Sequence, residues 1–583
     1  MIWSARTTHE SKEAQTNYGS ETFFHILSSD NKKDAQQNAQ CHKTGLGSAF
    51  GPILFADANS SKDGGQSFSE HPNGARLPRM RRTIFPAVML LAFSLTGFAQ
   101  DDWPGYARDY ASTSFSSLKD ITPANVSKLK QVCSYPVPEN ATFESSLVVV
   151  NGIMYFTTGA YTYALNAADC TLKWKVQYEA GGGTVRGVAV AGNRLYRGFR
   201  DGAVVAYDIS DGHQIWISKL TEADGKPATV AAAPVAWNGM IYIGTSGAER
   251  ACGCFVAALD AATGKVAWKF VIVPTGDAPG SETWPTGVHV GGGSLWTSLT
   301  VDAAAGLIYI PTGNPGPDFA GAYRPGANLY TGSVVALDAK TGVLKSWYQL
   351  VPHDYHDWDQ AAPPALVTTR QGRKRAMAAG KDGHLHGIDI ASGKVAFKTP
   401  VTKVENIEAP LSPEGTHFCP GTAGGVQWNG PSFSPGTNLV YVNSVDWCSF
   451  VKLDPKLPVF GPGQFLGTTN GFGVKDERKA GWVTAVDADS GMVRWKQEMA
   501  TPMVAGTTVT ASGLVLTGDL NGDVIAFDAA TGKILHRIPT QQPIGGGVVT
   551  YKAGGKQFVG VAAGLADAIM QTKGTPVVFV FGL

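Results

Sequence analysis

The sequence predicts an all-β fold, an eight-bladed β-propeller, and three observations predict it. A segment of the form Ala-apolar-Asp-x-x-x-Gly-x-x-x-Trp recurs along the chain, short apolar runs precede its copies, and glycine is abundant, with 70 of 583 residues. A recurring segment at this spacing is typical of solenoids, propellers and arrays. Many glycines suit short strands joined by tight turns. We therefore expect one domain of repeated sheets over residues 100–583.

The copies of the repeat predict strand, turn and strand. The apolar residues form the first strand, Asp-x-x-x-Gly makes the turn, and the next strand carries an aromatic residue. Seven copies are centred on Asn166, Asp208, Asp260, Asp338, Asp389, Asp487 and Asp528. The residues assigned to the last position of these copies are Trp174, Trp216, Trp268, Trp347, Phe397, Trp495 and His536.

An upstream strand pair brings most copies to about four strands, which is the size of a propeller blade. The 98-residue interval between Asp389 and Asp487 leaves room for a further blade, with strands at Asn438 to Val442. This blade and the seven copies predict eight blades. A tryptophan at one point of each unit suits docking between adjacent blades, which argues against a β-helix or a sandwich. We expect a strand from residues 103–137 to close the ring beside residues 577–581.

Composition and charge exclude some classes of partner. Lys and Arg number 48 and Asp and Glu number 47, so the formal net charge is +1. Nothing in this balance indicates nucleic-acid binding. A chain of this length could hold several domains, but a large all-β fold can also use it as one unit.

Residues 80–99 have the three parts of a secretory signal peptide: two arginines, an apolar run over 84–98, and small residues before position 100. The run is short for a membrane span, so we expect export to the periplasm without stable membrane insertion. A buried helix is the alternative interpretation. Residues 1–79 are polar and lack periodicity, and we interpret them as a non-native or disordered extension, with Met80 as the natural start.

Export makes disulfides the expected state of the cysteines. An even number of them follows residue 99, namely Cys133, Cys170, Cys252, Cys254, Cys419 and Cys448. Such a set in an oxidising compartment indicates disulfide bonds. The sequence has no Cys-x-x-Cys pair for zinc and no Cys-x-x-Cys-His for covalent haem.

The repeat with its terminal Trp resembles that of the quinoprotein alcohol dehydrogenases, a superfamily that includes the large subunit of methanol dehydrogenase. The resemblance covers nearly all of the chain from Trp103 onward. It implies that pyrroloquinoline quinone (PQQ) and Ca²⁺, or a lanthanide, support oxidation of a small-molecule alcohol to an aldehyde or ketone. Without a haem motif, the electron acceptor is expected to be a separate cytochrome c, soluble or in the membrane. Propellers with this repeat also include non-catalytic scaffolds, so the function depends on the axial residues.

Three motifs resemble the metal-binding motifs of that family. Gly-Thr-Ser-Gly-Ala-Glu at 244–249 implies Glu249 as a metal ligand, with the cofactor-contacting residues Ser246, Gly247 and Ala248. Thr-Gly-Asn-Pro at 312–315 implies Asn314 as a ligand. The loop 352–359 implies Asp357 as catalytic base and ligand, and Asp359 as the additional ligand of lanthanide-dependent members. Oxygen donors suit Ca²⁺ or a lanthanide.

Further matches concern the cofactor. The resemblance implies that Trp296, after Ser294, forms the floor under the quinone and that Lys381 contacts the quinone oxygens. Glu144 and Arg186 match polar cofactor contacts, the arginine pairing with a carboxylate. Cys419 and Cys448 match a family disulfide.

The chain also departs from the family pattern. Ala180-Gly181 replaces a vicinal cysteine pair, Ala231 replaces a threonine that contacts a cofactor carboxylate, and Asp318 replaces a tryptophan. Cys252 and Cys254 either cap the cofactor or form a structural disulfide with another cysteine. Asp318, together with the lack of any tryptophan after Trp495, predicts a wider and more polar pocket than one for methanol. An aldose dehydrogenase and a scaffold that has lost the cofactor are the alternative functions.

Overall fold

The structure, a computed structural model, describes residues 101–456 and 466–583. The predicted extension 1–79 and signal peptide 80–99 lie outside the described residues. Within them the regular structure is almost entirely β, which confirms the all-β prediction. The only helices of the described part are single 3₁₀ turns at Val126–Lys128, Ala248–Arg250, Ser281–Thr283 and Gly321–Tyr323. None of its helices is long and apolar enough to cross a membrane.

The first strands are short N-terminal segments followed by three four-stranded antiparallel sheets. The N-terminal strands are β1 (Phe115–Ser116) and β2 (Lys130–Pro136). Sheet 1 contains β3 (Val148–Val150), β4 (Ile153–Thr157), β5 (Tyr161–Asn166) and β6 (Leu172–Gln177). Sheet 2 contains β7 (Ala189–Ala191), β8 (Arg194–Gly198), β9 (Ala203–Asp208) and β10 (Gln214–Lys219). Sheet 3 contains β11 (Val235–Trp237), β12 (Met240–Gly244), β13 (Phe255–Asp260) and β14 (Val266–Val271).

Two further sheets of the same kind follow, the first with a small strand pair inserted. That pair is β15 (Gly291–Gly292) with β18 (Pro315–Gly316). Sheet 4 contains β16 (Thr300–Asp302), β17 (Leu307–Pro311), β19 (Ser333–Asp338) and β20 (Leu344–Gln349). Sheet 5 contains β21 (Ala365–Thr368), β22 (Lys374–Ala379), β23 (His384–Asp389) and β24 (Lys394–Pro400).

The last three sheets include the N-terminal strands. A three-stranded insertion contains β25 (Thr416–Phe418), β28 (Ser449–Val451) and β29 (Val474–Lys475). Sheet 6 contains β26 (Ser432–Ser434), β27 (Leu439–Asp446), β30 (Ala480–Asp487) and β31 (Val493–Met499). Sheet 7 contains β32 (Thr508–Thr510), β33 (Leu514–Gly518), β34 (Asp523–Asp528) and β35 (Ile534–Pro539), with β1 parallel to β32. Sheet 8 contains β36 (Ile544–Ala553), β37 (Lys556–Ala563), β38 (Val577–Gly582) and β2.

The strand β2 pairs with β38, so the two ends of the described chain share sheet 8. Cys133 lies opposite Val580 in this antiparallel pair. This pairing confirms the predicted closure between residues 103–137 and 577–581.

The predicted blade between Asp389 and Asp487 is wrong. Strand β27, which contains the apolar run after Asn438, pairs with β30, which ends at Asp487, so both belong to sheet 6. The long interval instead holds the insertion β25–β28–β29 and its loops. The length of the interval suggested an extra blade, but two paired strands of one sheet can be separated by a long insertion.

Tryptophans on the outer strands contact the next sheet along the chain. The Trp268 indole donates a hydrogen bond of 3.2 Å to the carbonyl of Ala339. A Cβ on Gly342 would lie 2.6 Å from the Trp268 ring, so this turn requires glycine. Equivalent indole bonds of 2.9–3.2 Å start from Trp174, Trp216 and Trp495. Each of these rings also covers a glycine of the next sheet's turn.

The assignment of Trp347 to this series is wrong by one residue. Ala336 lies opposite Ser346, whereas Ala258 lies opposite Trp268. In sheet 4, serine therefore occupies the register position that is tryptophan in sheets 1, 2, 3 and 6. Trp347 points to the other face, where 45% of it is exposed, and its ring lies edge-on to Tyr330.

Candidate cofactor and cation site

The predicted site residues gather around one cavity of about 490 Å³. Pockets of roughly 300–1,000 Å³ are the usual size for small ligands and cofactors. The predicted residues in its lining are Glu144, Arg186, Ser246, Gly247, Glu249, Ser294, Trp296, Asp357, Asp359 and Lys381. The other two predicted residues, Ala248 and Asn314, are buried and do not belong to the lining.

Arg186 organises one wall of the cavity. Its guanidinium lies 2.5 Å from the Glu144 carboxylate and donates a 2.8 Å hydrogen bond to the Trp296 carbonyl. It also lies 4.5 Å from the centre of the Trp296 ring. Burial raises the pKa of Glu144, while the charge of Arg186 opposes the rise. The wall thus combines a flat aromatic surface with a cation held in a fixed orientation.

Ser294 fixes the turn that carries Glu249. Its hydroxyl oxygen accepts hydrogen bonds from the backbone N–H groups of Gly247 (3.0 Å) and Ala248 (2.9 Å). The one-turn helix that follows places the Glu249 side chain in the cavity lining. Ser294 therefore shapes the turn as well as lining the cavity.

The cysteines beside this turn bond to each other. Cys252 and Cys254 form a disulfide, and the Cys254 sulfur lies 3.9 Å from the Ser294 hydroxyl. Both cysteines are buried and neither belongs to the cavity lining. The predicted bond to a third cysteine is therefore wrong, because the two cysteines bond to each other. The alternative that this pair caps the cofactor stays a prediction. Disulfides also join Cys419 to Cys448, as the resemblance implied, and Cys133 to Cys170.

The loop 352–359 is held by a buried carboxylate next to the predicted base. Asp354 accepts backbone hydrogen bonds from His356 (3.0 Å) and Trp358 (2.9 Å). Burial opposes its ionisation, but the contacts with His356 and Trp358 outweigh this effect and lower the pKa of Asp354. Asp357, between these donors, adopts a left-handed backbone with φ of 64°. This uncommon conformation is a form of local strain that functional sites often contain.

Lys381 bridges two buried aspartates in the cavity wall. Its ammonium lies 2.8 Å from Asp357 and 3.1 Å from Asp359. Burial raises the pKa of Asp357 well above its ordinary value, although Lys381 opposes the rise. Burial disfavours the charge of Lys381, but the two aspartates outweigh it and raise the pKa of the lysine. All three side chains are less than a tenth exposed.

Gly313 leaves room for the Asp359 carboxylate to contact the backbone of Asn314. The Asn314 N–H donates a 3.1 Å hydrogen bond to Oδ1 of Asp359. A Cβ on Gly313 would lie 2.3 Å from that oxygen, so any side chain there would displace the carboxylate. Asn314, Asp357, Asp359 and Glu249 supply only oxygen donors, which is the chemistry that a hard cation such as Ca²⁺ or a lanthanide prefers.

Sequence reasoning missed several lining residues, chiefly Arg200, Arg250, Gln427, Trp428, Phe472, Asp567, Ile569 and Met570. Arg200 had a detectable signal, because Arg200-Asp201-Gly202 occupies the same place in its repeat as Lys381-Asp382-Gly383. Trp428 lies 5.6 Å from the Arg186 guanidinium and donates to the Gly545 carbonyl. Arg250 ends the 3₁₀ turn Ala248–Arg250 and directly follows Glu249, so the motif at 244–249 pointed to its neighbourhood. The other residues lie on irregular loops without periodicity, where the sequence offers no comparable signal.

Asp318, the residue that replaces a tryptophan of the family pattern, is another buried carboxylate. It is 1% exposed, and neither carboxylate oxygen has a hydrogen-bond partner among the described residues. Burial, and then the charges of Asp357, Glu249 and Asp359, raise the pKa of Asp318 well above its ordinary value. The chain therefore places a further carboxylate beside the predicted cation ligands.

Comparison with known proteins agrees with this geometry. The family described as "Glucose/ethanol/alcohol dehydrogenase, beta-propeller domain" matches residues 103–408. The family described as "Outer membrane protein assembly factor BamB" matches residues 479–568.

Relatives of known function cover most of the chain. The quinohemoprotein alcohol dehydrogenase of Comamonas testosteroni is 30% identical, over 82% of this chain and 76% of its own length. A crystal structure of that enzyme aligns with a TM-score of 0.75 and 28% identity, over 83% of this chain and 80% of the other. The 1-butanol dehydrogenase (cytochrome c) of Thauera butanivorans is 29% identical, over 81% of this chain and 76% of its own length. The chain therefore belongs to the family of PQQ-dependent alcohol dehydrogenases.

Proposed function

We propose that the protein is a periplasmic PQQ- and metal-dependent enzyme that oxidises an alcohol to an aldehyde or ketone and passes the electrons to a separate cytochrome c. The observation that carries this proposal is the Asp357–Lys381–Asp359 cluster in the wall of the 490 Å³ cavity. A buried base, an opposing ammonium and an aromatic wall in one cavity form a combination that a purely structural propeller does not need.

The residues of the cavity fit PQQ, a flat tricyclic orthoquinone with three carboxylates. Trp296 offers a planar surface, and Arg186, Arg200 and Arg250 offer positive charge for the carboxylates. The Lys381 ammonium would contact the quinone oxygens. PQQ, when bound beside the cation, supplies the acceptor for the hydride of the alcohol.

The oxygen donors fit the cation. Glu249, Asn314, Asp357 and Asp359 would hold Ca²⁺ or a lanthanide, since both take several oxygen ligands. Two of these carboxylates, Asp357 and Asp359, form ion pairs with the Lys381 ammonium.

Asp357 would accept the hydroxyl proton of the substrate. It lines the cavity, is buried, and is held by Lys381 at 2.8 Å. A base must be ionised to act, and efficient general bases have a pKa near the working pH. Burial raises the pKa of Asp357 toward the working pH, while the positive charge of Lys381 favours the ionised carboxylate.

The compartment and the electron acceptor follow from other features. The Thauera relative is named as a cytochrome c-dependent enzyme, and these 583 residues contain no Cys-x-x-Cys-His. Three disulfides suit an oxidising compartment, as does the signal peptide predicted at 80–99.

The proposed architecture is an eight-bladed propeller with tryptophan docking. Eight sheets of four or five strands in the described residues, with β2 completing the last sheet, support this blade count. The four indole bonds between successive sheets support docking. In this arrangement the cavity lies on the axis, where the loops of several blades meet.

Reconstitution tests the proposed function. The purified protein is loaded with PQQ and either Ca²⁺ or a lanthanide, and dye reduction is measured with primary alcohols, diols and sugars. We expect alcohol-dependent reduction. Preference for sugars would indicate an aldose dehydrogenase, and no activity with any metal would favour the scaffold alternative.

Substitution of the base gives a sharper test. Asp357→Asn keeps the shape of the side chain but removes its basicity, so we expect turnover to fall by about 10²–10⁴-fold or more while PQQ stays bound. The measurement is steady-state dye reduction together with the absorbance of the bound cofactor. Full turnover by this variant would contradict the assignment, and Asp359 would be the next carboxylate to test.

A further inference from the structure

Asp318 is a buried charged side chain that the proposed function does not use. It lies four residues after Asn314, on the segment that leaves β18. Its side chain is 1% exposed, and both carboxylate oxygens lack hydrogen-bond partners in the described part of the chain. An ionised carboxylate in such a place is unfavourable unless a cation compensates it.

The nearby arginine does not provide this compensation. Arg324 donates to the carbonyls of Pro317 and Asp354 and to the side chain of Asn328. Its bond to Asp318 ends on the backbone carbonyl and not on the carboxylate. Asp354 is the first electrostatic partner of Arg324, ahead of Asp318. Arg324 therefore fixes the backbone of the segment and leaves the Asp318 carboxylate without a hydrogen-bonded cation.

The electrostatic neighbours of Asp318 are the proposed metal ligands. Asp357, Glu249 and Asp359 all repel its charge, in that order of strength. The cavity lining includes these three residues but not Asp318. Asp318 is thus an electrostatic neighbour of the carboxylate cluster and is not itself part of the cavity lining. Its segment is held by the β15–β18 pair and by Arg324, so the side chain is positioned before any ligand binds.

We propose that Asp318 is a further carboxylate of the cation site, and that the resulting charge makes the site selective for a trivalent over a divalent cation. The proposal rests on the cation site of the proposed function. Four carboxylates and the Lys381 ammonium leave three negative charges in the cluster, which a trivalent ion neutralises and a divalent ion does not. Arg324 donates to the backbone carbonyls of both Asp318 and Asp354, so the segment of Asp318 lies beside the loop that carries Asp357 and Asp359. There Asp318 would act either as a direct ligand or as a charge next to the ligands.

Terbium(III) binding to the full-length, metal-free protein tests this proposal without any turnover. Tryptophan-sensitised luminescence reports Tb³⁺, and competition with Ca²⁺ reports selectivity. We expect the wild-type protein to bind one Tb³⁺ and to require Ca²⁺ in large excess for displacement. In Asp318→Asn the Tb³⁺ dissociation constant should rise about tenfold or more, the scale of loss for groups that support metal ligands. The Ca²⁺ constant should change much less.

Two controls separate a charge effect from misfolding. Asp277→Asn makes the same chemical change at an exposed position and should bind both ions like the wild type. Thermal unfolding without metal should show Asp318→Asn at least as stable as the wild type, because the substitution removes a buried carboxyl group that has no hydrogen-bond partner among the described residues. The rise in Tm on adding Tb³⁺ should be smaller for the variant. Asp318→Ser also removes the carboxylate, so it should weaken Tb³⁺ binding as Asp318→Asn does and change Ca²⁺ binding much less.

Two results would overturn the proposal: Tb³⁺ affinity unchanged in Asp318→Asn, or Tb³⁺ and Ca²⁺ affinities reduced equally. Failure of the proposed function gives a different pattern, since a protein that binds Tb³⁺ through Asp318 but neither binds PQQ nor oxidises alcohols would refute the function and keep this assignment.

Discussion

At the scale of single residues, the site depends on buried charges that hold one another in place. Asp354 fixes the loop that carries Asp357, and Lys381 lies between Asp357 and Asp359. Asp382, the next residue, is buried within 2.9 Å of His386 and 3.2 Å of His384, and it accepts a 3.3 Å hydrogen bond from Gln360. The Asp382 side chain thus links Gln360 to two histidines of β23.

The Asp382 cluster predicts a pH-dependent contribution to stability. Burial opposes ionisation, but the two histidines outweigh it and hold the pKa of Asp382 well below its ordinary value of 3.8. A carboxyl with a lowered pKa in the folded state stabilises the protein above its unfolded pKa, and this contribution is lost as pH falls below it. The unfolding free energy of Asp382→Asn at pH 7 should therefore be about 3–5 kcal/mol lower than that of the wild type, which is the usual effect of breaking a buried charged pair.

Thermal unfolding of both proteins between pH 7 and pH 3 provides the measurement. The difference in stability should shrink as the pH falls below about 4, where the carboxyl group of the unfolded protein becomes protonated. A difference that stays constant down to pH 3 would contradict the assignment of the effect to the Asp382 charge.

Which site residues could be predicted depended on their local pattern. Glu249, Asn314 and Asp357 stand in short motifs of fixed spacing, so a comparison of residues along the chain finds them. Asp318 has no motif, since its importance comes from burial and from neighbours up to some 70 positions away in sequence, such as Glu249. Only the folded arrangement shows that its oxygens lack partners.

At the scale of elements, the repeat predicted the strands but not every docking position. Trp268 covers Gly342, whereas the space above Gly393 is open: within the described part of the chain, no atom lies within 4 Å of where its Cβ would be. The reason is Ser346, which occupies the place of a tryptophan opposite Ala336. The sequence suggested Trp347 because it is the nearest tryptophan, and only the strand register, with its bulge, shows the one-residue difference.

This gap predicts that Ser346→Trp stabilises the protein. The new indole would cover Gly393, as Trp268 covers Gly342, and would face the Ile390 carbonyl, which is the counterpart of Ala339. Burying part of an aromatic side chain should add about 1–2 kcal/mol to the unfolding free energy. Denaturant-induced unfolding provides the measurement, with Ser346→Ala as a control that fills no space. Equal or lower stability of Ser346→Trp relative to that control would show that the position does not accept a docking tryptophan.

At the scale of the whole molecule, the closing contact of the ring differs from the others. Cys133 lies opposite Val580 directly after a bulge, as Trp216 lies opposite Ala206. Its partner Cys170 has a φ of 60° and stands at the turn position that is glycine in most copies. The Cys133–Cys170 disulfide thus takes the place of a tryptophan–glycine contact between sheets 8 and 1.

Removal of the Cys133–Cys170 disulfide should lower the unfolding free energy more than removal of the Cys252–Cys254 disulfide beside the cavity. The Cys133–Cys170 bond closes a loop with a separation of 37 residues, and Cys252–Cys254 closes one of only 2. From loop-closure entropy, we expect the double variant Cys133→Ser/Cys170→Ser to lose about 4 kcal/mol of unfolding free energy. The double variant Cys252→Ser/Cys254→Ser should lose clearly less. Unfolding of the two double variants under identical conditions compares them. Equal losses would indicate that the first disulfide does not stabilise ring closure.

The proposed oxidation of alcohols requires that the cavity beside Trp296 and Lys381 holds PQQ. Equilibrium titration of the purified protein with PQQ, in the presence of Ca²⁺ or a lanthanide and followed by the absorbance of the bound cofactor, tests this requirement most directly. We predict saturation at one PQQ per chain that depends on the added cation. No binding of PQQ with either class of cation would contradict the account and leave the chain as a propeller without a redox function.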